Sequence, residues 1–99
     1  MNIEIKEQNG SYVGTLSGWL DTNVATQFLD DIKVLEENAD KTIVLDFTAL
    51  EYICSLALRG LLKLKKESAA KGGNLEFKNV QGEVLKIFTM TGFSRLFGI

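Results

Sequence analysis

The sequence has 99 residues, of which 45% are hydrophobic and 24% are charged, the composition of a globular domain that can bury one core. Its formal net charge is −2 and its isoelectric point is about 5.1, so the chain as a whole offers no basic field for nucleic acid or anionic lipid. We therefore expect a single domain over residues 1–99 that binds no nucleic acid.

The residue types that are missing also exclude some chemistry. The chain has no histidine and a single cysteine, which excludes metal sites built from nitrogen and sulfur and nucleophiles activated by histidine. We expect no metal, no other cofactor and no enzymatic activity. One cysteine cannot form an internal disulfide, and no apolar run approaches the roughly 20 residues of a membrane span. The first ten residues are unlike a signal peptide, so we expect a cytoplasmic protein.

The first predicted elements are the two strands of a hairpin. Ile3 and Ile5 alternate with polar residues, which predicts a half-buried strand. Asn9-Gly10 is a strong hairpin signal because both turn positions tolerate positive φ. Residues 12–16 form the second strand, which ends near Trp19 at the edge of the core.

The remaining elements alternate between helix and strand, which predicts parallel crossovers and an α/β fold in the order β-β-α-β-α-β-α. They are a helix over 22–37, a strand at 43–45, a helix from Ser55 that ends at Gly72-Gly73, a strand at 75–77, a helix over 82–90 and a tail over 93–99 that forms a last strand or a packed turn.

The stretch from 42 to 66 organises the chain. Its continuous apolar run at 43–45 predicts a central strand covered on both faces, followed by a short loop and an amphipathic helix. Leu56 falls opposite the apolar side of that helix, one turn before Gly60 and near Arg59. Two interpretations remain open: Leu56 packs under the preceding loop, or Leu56 and Gly60 form a flat contact patch for a partner.

Ser55, at the expected start of the helix, also has two interpretations. As an N-cap, its hydroxyl would accept a hydrogen bond from a free backbone N–H. A phosphate there would equally suit the positive end of the helix and would add about −1.5 to −2 charges. Cys54 beside it is more typical of a small buried apolar residue than of a nucleophile.

Three segments follow one another in a characteristic order: LSGWLDTNVATQF (16–28), TIVLDFTALEYICSLALRGLLKL (42–64) and FTMTGFSRLF (88–97). Together they resemble the STAS domain family, named for sulfate transporters and anti-sigma-factor antagonists. The resemblance implies a four- to five-stranded mixed sheet with an N-terminal antiparallel hairpin and three helices mostly on one face.

In the bacterial anti-sigma-factor antagonists of this family, the domain binds an anti-sigma factor that is also a serine kinase of the GHKL type. The resemblance implies a regulator of transcription that sequesters this kinase and is switched off by phosphorylation of a serine at the helix start. That serine corresponds to Ser55. We predict that the partner is contacted by the residues around it, namely Cys54, Leu56, Arg59, Gly60 and Lys63.

A second hypothesis stays open beside the first. The chain could be a STAS subunit of a larger assembly, such as a lipid-handling ABC transporter or a signalling complex. In that case the same helix face binds a protein without phosphorylation, and a transporter-type ATPase rather than a kinase is its partner.

Overall fold

The computed structural model describes residues 2–99, and its centre is a four-stranded sheet. The strands are β1 (Ile3–Gln8), β2 (Ser11–Leu20), β3 (Thr42–Ile53) and β4 (Asn74–Lys78), in the order β1-β2-β3-β4. β1 and β2 pair antiparallel through Asn9-Gly10, whose φ angles of 53° and 83° suit a two-residue turn. Because β3 is parallel to both β2 and β4, the predicted mixed sheet with an N-terminal hairpin is confirmed.

The helical segments number five within the described chain: α1 (Thr22–Asp31), α2 (Lys33–Glu37), α3 (Ser55–Ala70), α4 (Gly82–Met90) and α5 (Phe93–Phe97). Two changes raise the number from the predicted three. The helix expected over 22–37 divides at Ile32, whose ψ of 0° departs from the helical value. The tail forms α5 rather than a strand, because Gly92 adopts a φ of 81° after α4 and a new helical segment begins there.

β3 departs most from its prediction. A three-residue strand and a loop are expected, yet β3 continues for 12 residues up to Ile53. Two register shifts against β2 each place one extra residue in β3. These β-bulges explain why the buried side chains change from a spacing of two residues to the three-residue steps of Phe47, Leu50 and Ile53.

The sheet is covered on one face. Ile43 and Leu45 point into the core, whereas Val44 between them lies half-buried on the opposite face, so the prediction that this strand is covered on both faces is wrong. Buried residues of α1, α3 and α4 cover the inner face, which confirms the predicted one-sided arrangement of helices. The outer face carries charged residues such as Glu76 and Lys78.

Asp46 stabilises the first bulge of β3. Its Oδ1 atom accepts hydrogen bonds from the Thr48 backbone N–H (3.0 Å), the Thr48 hydroxyl (2.6 Å) and the Asn79 side-chain amide (3.0 Å). Since Asn79 follows β4, one carboxylate joins the ends of two neighbouring strands. The hydrogen bond from the Thr48 hydroxyl is the largest cause that lowers the pKa of Asp46 below its ordinary value, followed by the bond from Asn79.

Two adjacent glycines connect α3 to β4. Gly72 has a φ of 74° and ends the helix in a Schellman arrangement, in which the Gly73 N–H donates to the Ser68 carbonyl (2.9 Å) and the Gly72 N–H donates to the Ala69 carbonyl (3.4 Å). Gly73 meets a different requirement, because a β-carbon there would lie 1.9 Å from the carbonyl oxygen of Ala39. The chain between α2 and β3 therefore packs directly on Gly73.

We expect Gly73→Ala to lower the free energy of unfolding by about 3 kcal/mol, because its β-carbon collides with backbone atoms that cannot rotate away. Gly72→Ala is the matched control. It has open space around its β-carbon and should lose only about 1 kcal/mol for the left-handed conformation. Urea denaturation followed by circular dichroism measures both, and equal losses would contradict the close packing at Gly73.

Asp46 should also make stability depend on pH. Its pKa is lower in the folded than in the unfolded chain, so its contribution is present above the unfolded pKa of about 4 and is lost as pH falls through the lower folded pKa. We expect Asp46→Asn to lower the free energy of unfolding by about 1 kcal/mol at pH 7, a value reduced for solvent exposure. The difference from wild type should shrink below about pH 4. A difference that stays constant from neutral to acidic pH would exclude the charge as its cause.

Candidate functional site

A single residue separates β3 from α3. Cys54 is extended (φ −92°, ψ 164°), its N–H donates to the Leu20 carbonyl of β2 (2.9 Å), and its carbonyl accepts from the Leu58 N–H (3.1 Å). Cys54 is therefore the N-cap of α3, and Ser55 is the first residue of the helix. The interpretation of Ser55 as the N-cap is wrong, because strand pairing continues through Ile53 and leaves one residue for the turn.

Ser55 is exposed at the positive end of α3. The Leu58 N–H makes the first backbone hydrogen bond of the helix, so the N–H groups before it lack intrahelical partners. No acidic residue lies in the first turn of α3. A phosphate on the Ser55 side chain is therefore compatible with the charge of this helix end.

Cys54 itself is buried, with 8% of its surface exposed. This confirms the prediction of a small buried apolar residue at the helix start. Its role as a partner contact stays a prediction.

A groove of about 260 Å³ lies between α3 and the α1–α2 segment. Four of the five predicted partner contacts belong to it. Its lining consists of Leu29, Lys33, Glu36, Leu56, Arg59, Gly60 and Lys63.

Leu56 and Gly60 contribute differently to this groove. Leu56 is half-buried and packs against the core, and there is no preceding loop for it to pack under because β3 runs up to Ile53. Gly60 is buried, and a β-carbon there would lie 2.2 Å from the Leu29 Cδ2 atom. The glycine therefore leaves room for the end of the Leu29 side chain against α3, while Leu29 and Leu56 supply the apolar surface of the groove.

The groove is positively charged although the chain as a whole carries −2. Three cationic side chains (Lys33, Arg59 and Lys63) and one carboxylate (Glu36) line it, which gives 3 − 1 = +2. Lys63 Nζ lies 3.7 Å from Glu36 Oε1, and Lys33 Nζ lies 3.0 Å from Asp30 Oδ1 just outside the groove, so Asp30 reduces the local charge to +1. Within the described residues Arg59 forms no salt bridge.

An aromatic pair, exposed Trp19 and half-buried Tyr52, lies just before the turn into α3. The rings of Trp19 and Tyr52 stack with their centroids 5.0 Å apart and their planes at 24°. The next pair in the register joins Leu20 to Ile53, immediately before the turn into α3. Trp19 is 59% exposed and is therefore surface rather than the expected edge of the core. The alternation of side chains along a strand predicts this exposure, because Leu20 points into the core and its neighbour Trp19 must then point outward.

Metal binding and membrane crossing each require a recognisable arrangement of residues. Across residues 2–99, no group of three or more acidic, cysteine or histidine residues is arranged to hold a metal ion. Nor does any helix in this part of the chain have the length and apolar character that crossing a bilayer requires.

The comparison with protein families matches the STAS domain over residues 2–99. A curated relative from Bordetella bronchiseptica, named "Putative anti-sigma factor antagonist BtrV", is 24% identical over 99 residues. This alignment covers 100% of the present chain and 85% of the relative.

Two solved structures share the fold. An anti-sigma factor antagonist from Mycobacterium paratuberculosis superposes with a TM-score of 0.74 at 18% identity, covering 96% of this chain and 80% of that one. The Bacillus cell fate determinant SpoIIAA, solved in its phosphorylated form, superposes with a TM-score of 0.72 at 22% identity, covering 94% of this chain and 86% of that one.

The exposure of Trp19 leads to a stability test. We expect Trp19→Ala to lower the free energy of unfolding by about 1 kcal/mol, the contribution of one stacked aromatic pair. Phe28→Ala should lose about 3–5 kcal/mol, because Phe28 is fully buried. Denaturation followed by far-ultraviolet circular dichroism compares the two, and similar losses would show that Trp19 belongs to the core.

Proposed function

The chain belongs to the STAS domain family, and we propose that it acts as an anti-sigma factor antagonist. In this proposal it is a cytoplasmic binding module and not an enzyme. It sequesters an anti-sigma factor of the GHKL serine-kinase type, and phosphorylation of Ser55 switches it off. The names of BtrV and of the Mycobacterium paratuberculosis protein support the antagonist role.

The observation that carries the proposal is the position of Ser55. Ser55 is the exposed first residue of α3 and directly precedes Leu56, one of two leucines that line the positively charged groove. A protein partner that presents an apolar side chain ringed by carboxylates would complement this surface in shape and in charge.

Phosphorylation would cancel the positive charge of this surface or make it slightly negative. The kinase transfers the γ-phosphoryl group of ATP to the Ser55 oxygen, and ADP and the hydroxyl proton leave. The product adds about −1.5 to −2 charges beside a groove whose local charge is +1 to +2. An acidic partner surface that the groove attracts is then no longer attracted, or is repelled.

Phosphorylation of Ser55 would also affect Arg59. It lies four residues after Ser55, so the two side chains share one face of α3. Because Arg59 forms no salt bridge within the described residues, its guanidinium is available to a phosphate on Ser55. Such a pair would draw the guanidinium from the groove toward the helix start. The partner would lose an attractive charge at the moment when a repulsive one appears.

Binding to a purified GHKL-type anti-sigma kinase from the same organism tests the proposal. We expect the wild-type chain and Ser55→Ala to bind with similar affinity, whereas Ser55→Asp should bind at least about tenfold more weakly because of its added charge. Addition of ATP should release the wild-type chain but not Ser55→Ala. Isothermal titration calorimetry measures affinity, and mass spectrometry locates the phosphate.

Leu56→Asp separates the contact surface from the switch. It places a charge in the groove while leaving the Ser55 hydroxyl in position, so it should abolish binding even without ATP. Loss of binding in Leu56→Asp with no phosphate on wild-type Ser55 would refute the switch. It would favour instead binding of the kinase without phosphorylation, whereas capture of an ABC-type ATPase and not of the kinase would favour a STAS subunit of a larger assembly. Undiminished binding by both charged variants would refute the site itself.

A further inference from the structure

β4 is an edge strand with backbone groups that face away from the sheet. The Asn74 N–H donates to the Lys41 carbonyl at the start of β3 (3.2 Å), so the even-numbered residues of β4 direct their backbone groups toward β3. The N–H and carbonyl groups of Leu75 and Phe77 therefore point outward. Within the described chain no fifth strand pairs with this edge, which leaves it open to another strand.

A groove of about 460 Å³ follows the same edge. One wall consists of the four consecutive residues Leu75–Lys78, whose side chains point alternately to opposite faces of the sheet. The groove therefore runs along the backbone edge rather than over one face. The other wall includes Lys65, Phe97 and Ile99, and Ile99 leaves 44% of its surface exposed. Apolar surface thus accompanies the unpaired strand.

We propose that β4 of a second copy of this chain occupies the edge as an antiparallel strand. Charge complementarity supports a second copy as the occupant. When the two Phe77 residues lie opposite each other, Glu76 of each copy faces Lys78 of the other, which produces two cross-strand pairs of opposite charge. In this register the outward backbone groups of Phe77 also form a hydrogen-bonded pair.

Neighbouring registers are less favourable. A shift that places the two Glu76 residues opposite each other puts like charges side by side. A shift of one residue in a single strand turns the outward backbone groups away from each other. The charges and the backbone direction of β4 therefore select one symmetric pairing.

β1, the other edge of the sheet, differs in an informative way. Its Lys6 and Glu4 also alternate, but they already pair with each other within the strand (3.3 Å). Neither Glu76 nor Lys78 forms a salt bridge within the described residues. The charges of β4 are thus available to a second copy, and β1 supplies a matched control for the experiment.

Sedimentation velocity of the full chain, from about 1 µM to about 1 mM, tests the proposal across the range of weak dimers. We expect dimers that form as the concentration rises. Lys78→Glu should raise the dissociation constant about tenfold or more, because both opposite-charge pairs become like-charge pairs. The double variant Glu76→Lys with Lys78→Glu should restore dimerisation by exchanging the charges. Lys6→Glu on β1 should leave the dissociation constant unchanged.

Amide hydrogen exchange provides a readout at the strand itself. The N–H groups of Leu75 and Phe77 should become more protected as concentration rises, while those of β1 should not. A chain that stays monomeric throughout the range, or a dimer that Lys6→Glu weakens and Lys78→Glu does not, would overturn the proposal. None of these residues lines the groove beside Ser55, so Ser55→Asp should dimerise like the wild type, and failure of one proposal leaves the other intact.

Discussion

The pairing of β3 with β2 as far as the last residue of each strand is the interaction on which the site depends. Two bulges let the 12 residues of β3 keep Phe47, Leu50 and Ile53 in the core while the strand bends along β2. The hydrogen bond from the Cys54 N–H to the Leu20 carbonyl then ends the sheet, and α3 begins at the next residue. Only Cys54 separates β3 from α3, so Ser55 is the first residue of the helix, and its side chain is exposed there.

Close contact between α1 and α3 supplies the second part of the surface. A side chain at Gly60 would occupy the space of a Leu29 methyl group, so the absence of a β-carbon leaves room for that side chain between the helices. The charged side chains that line the resulting groove come from α2 and α3. Their sum is positive, whereas the net charge of the whole chain is negative. At physiological salt, dissolved ions screen charges that lie more than about 8–10 Å from the groove. The charge of the groove itself, and not the total charge of the chain, is therefore what an acidic partner experiences.

Local signals predicted the elements whose form depends on neighbouring residues. Asn9-Gly10 marked the hairpin because its two positive φ angles are a property of the turn itself, and Gly72 marked the end of α3 for the same reason. β3 was predicted as a strand of three residues because only 43–45 form a continuous apolar run, and the three-residue spacing of Phe47, Leu50 and Ile53 is not that of a regular strand. Only the partner strand, with one residue opposite two at each bulge, explains that spacing.

The sequence by itself determined the fold class and the α3 stripe that packs on the sheet, because apolar periodicity and turn chemistry are encoded over a few positions. The tertiary structure alone decided that Cys54 rather than Ser55 caps the helix, since that depends on how far two distant strands remain paired. It also decided that Gly60 faces the Leu29 side chain, because Leu29 lies 31 positions away in the chain (60 − 29 = 31). Contacts between such distant residues arise from packing, and a pattern within one segment cannot contain them.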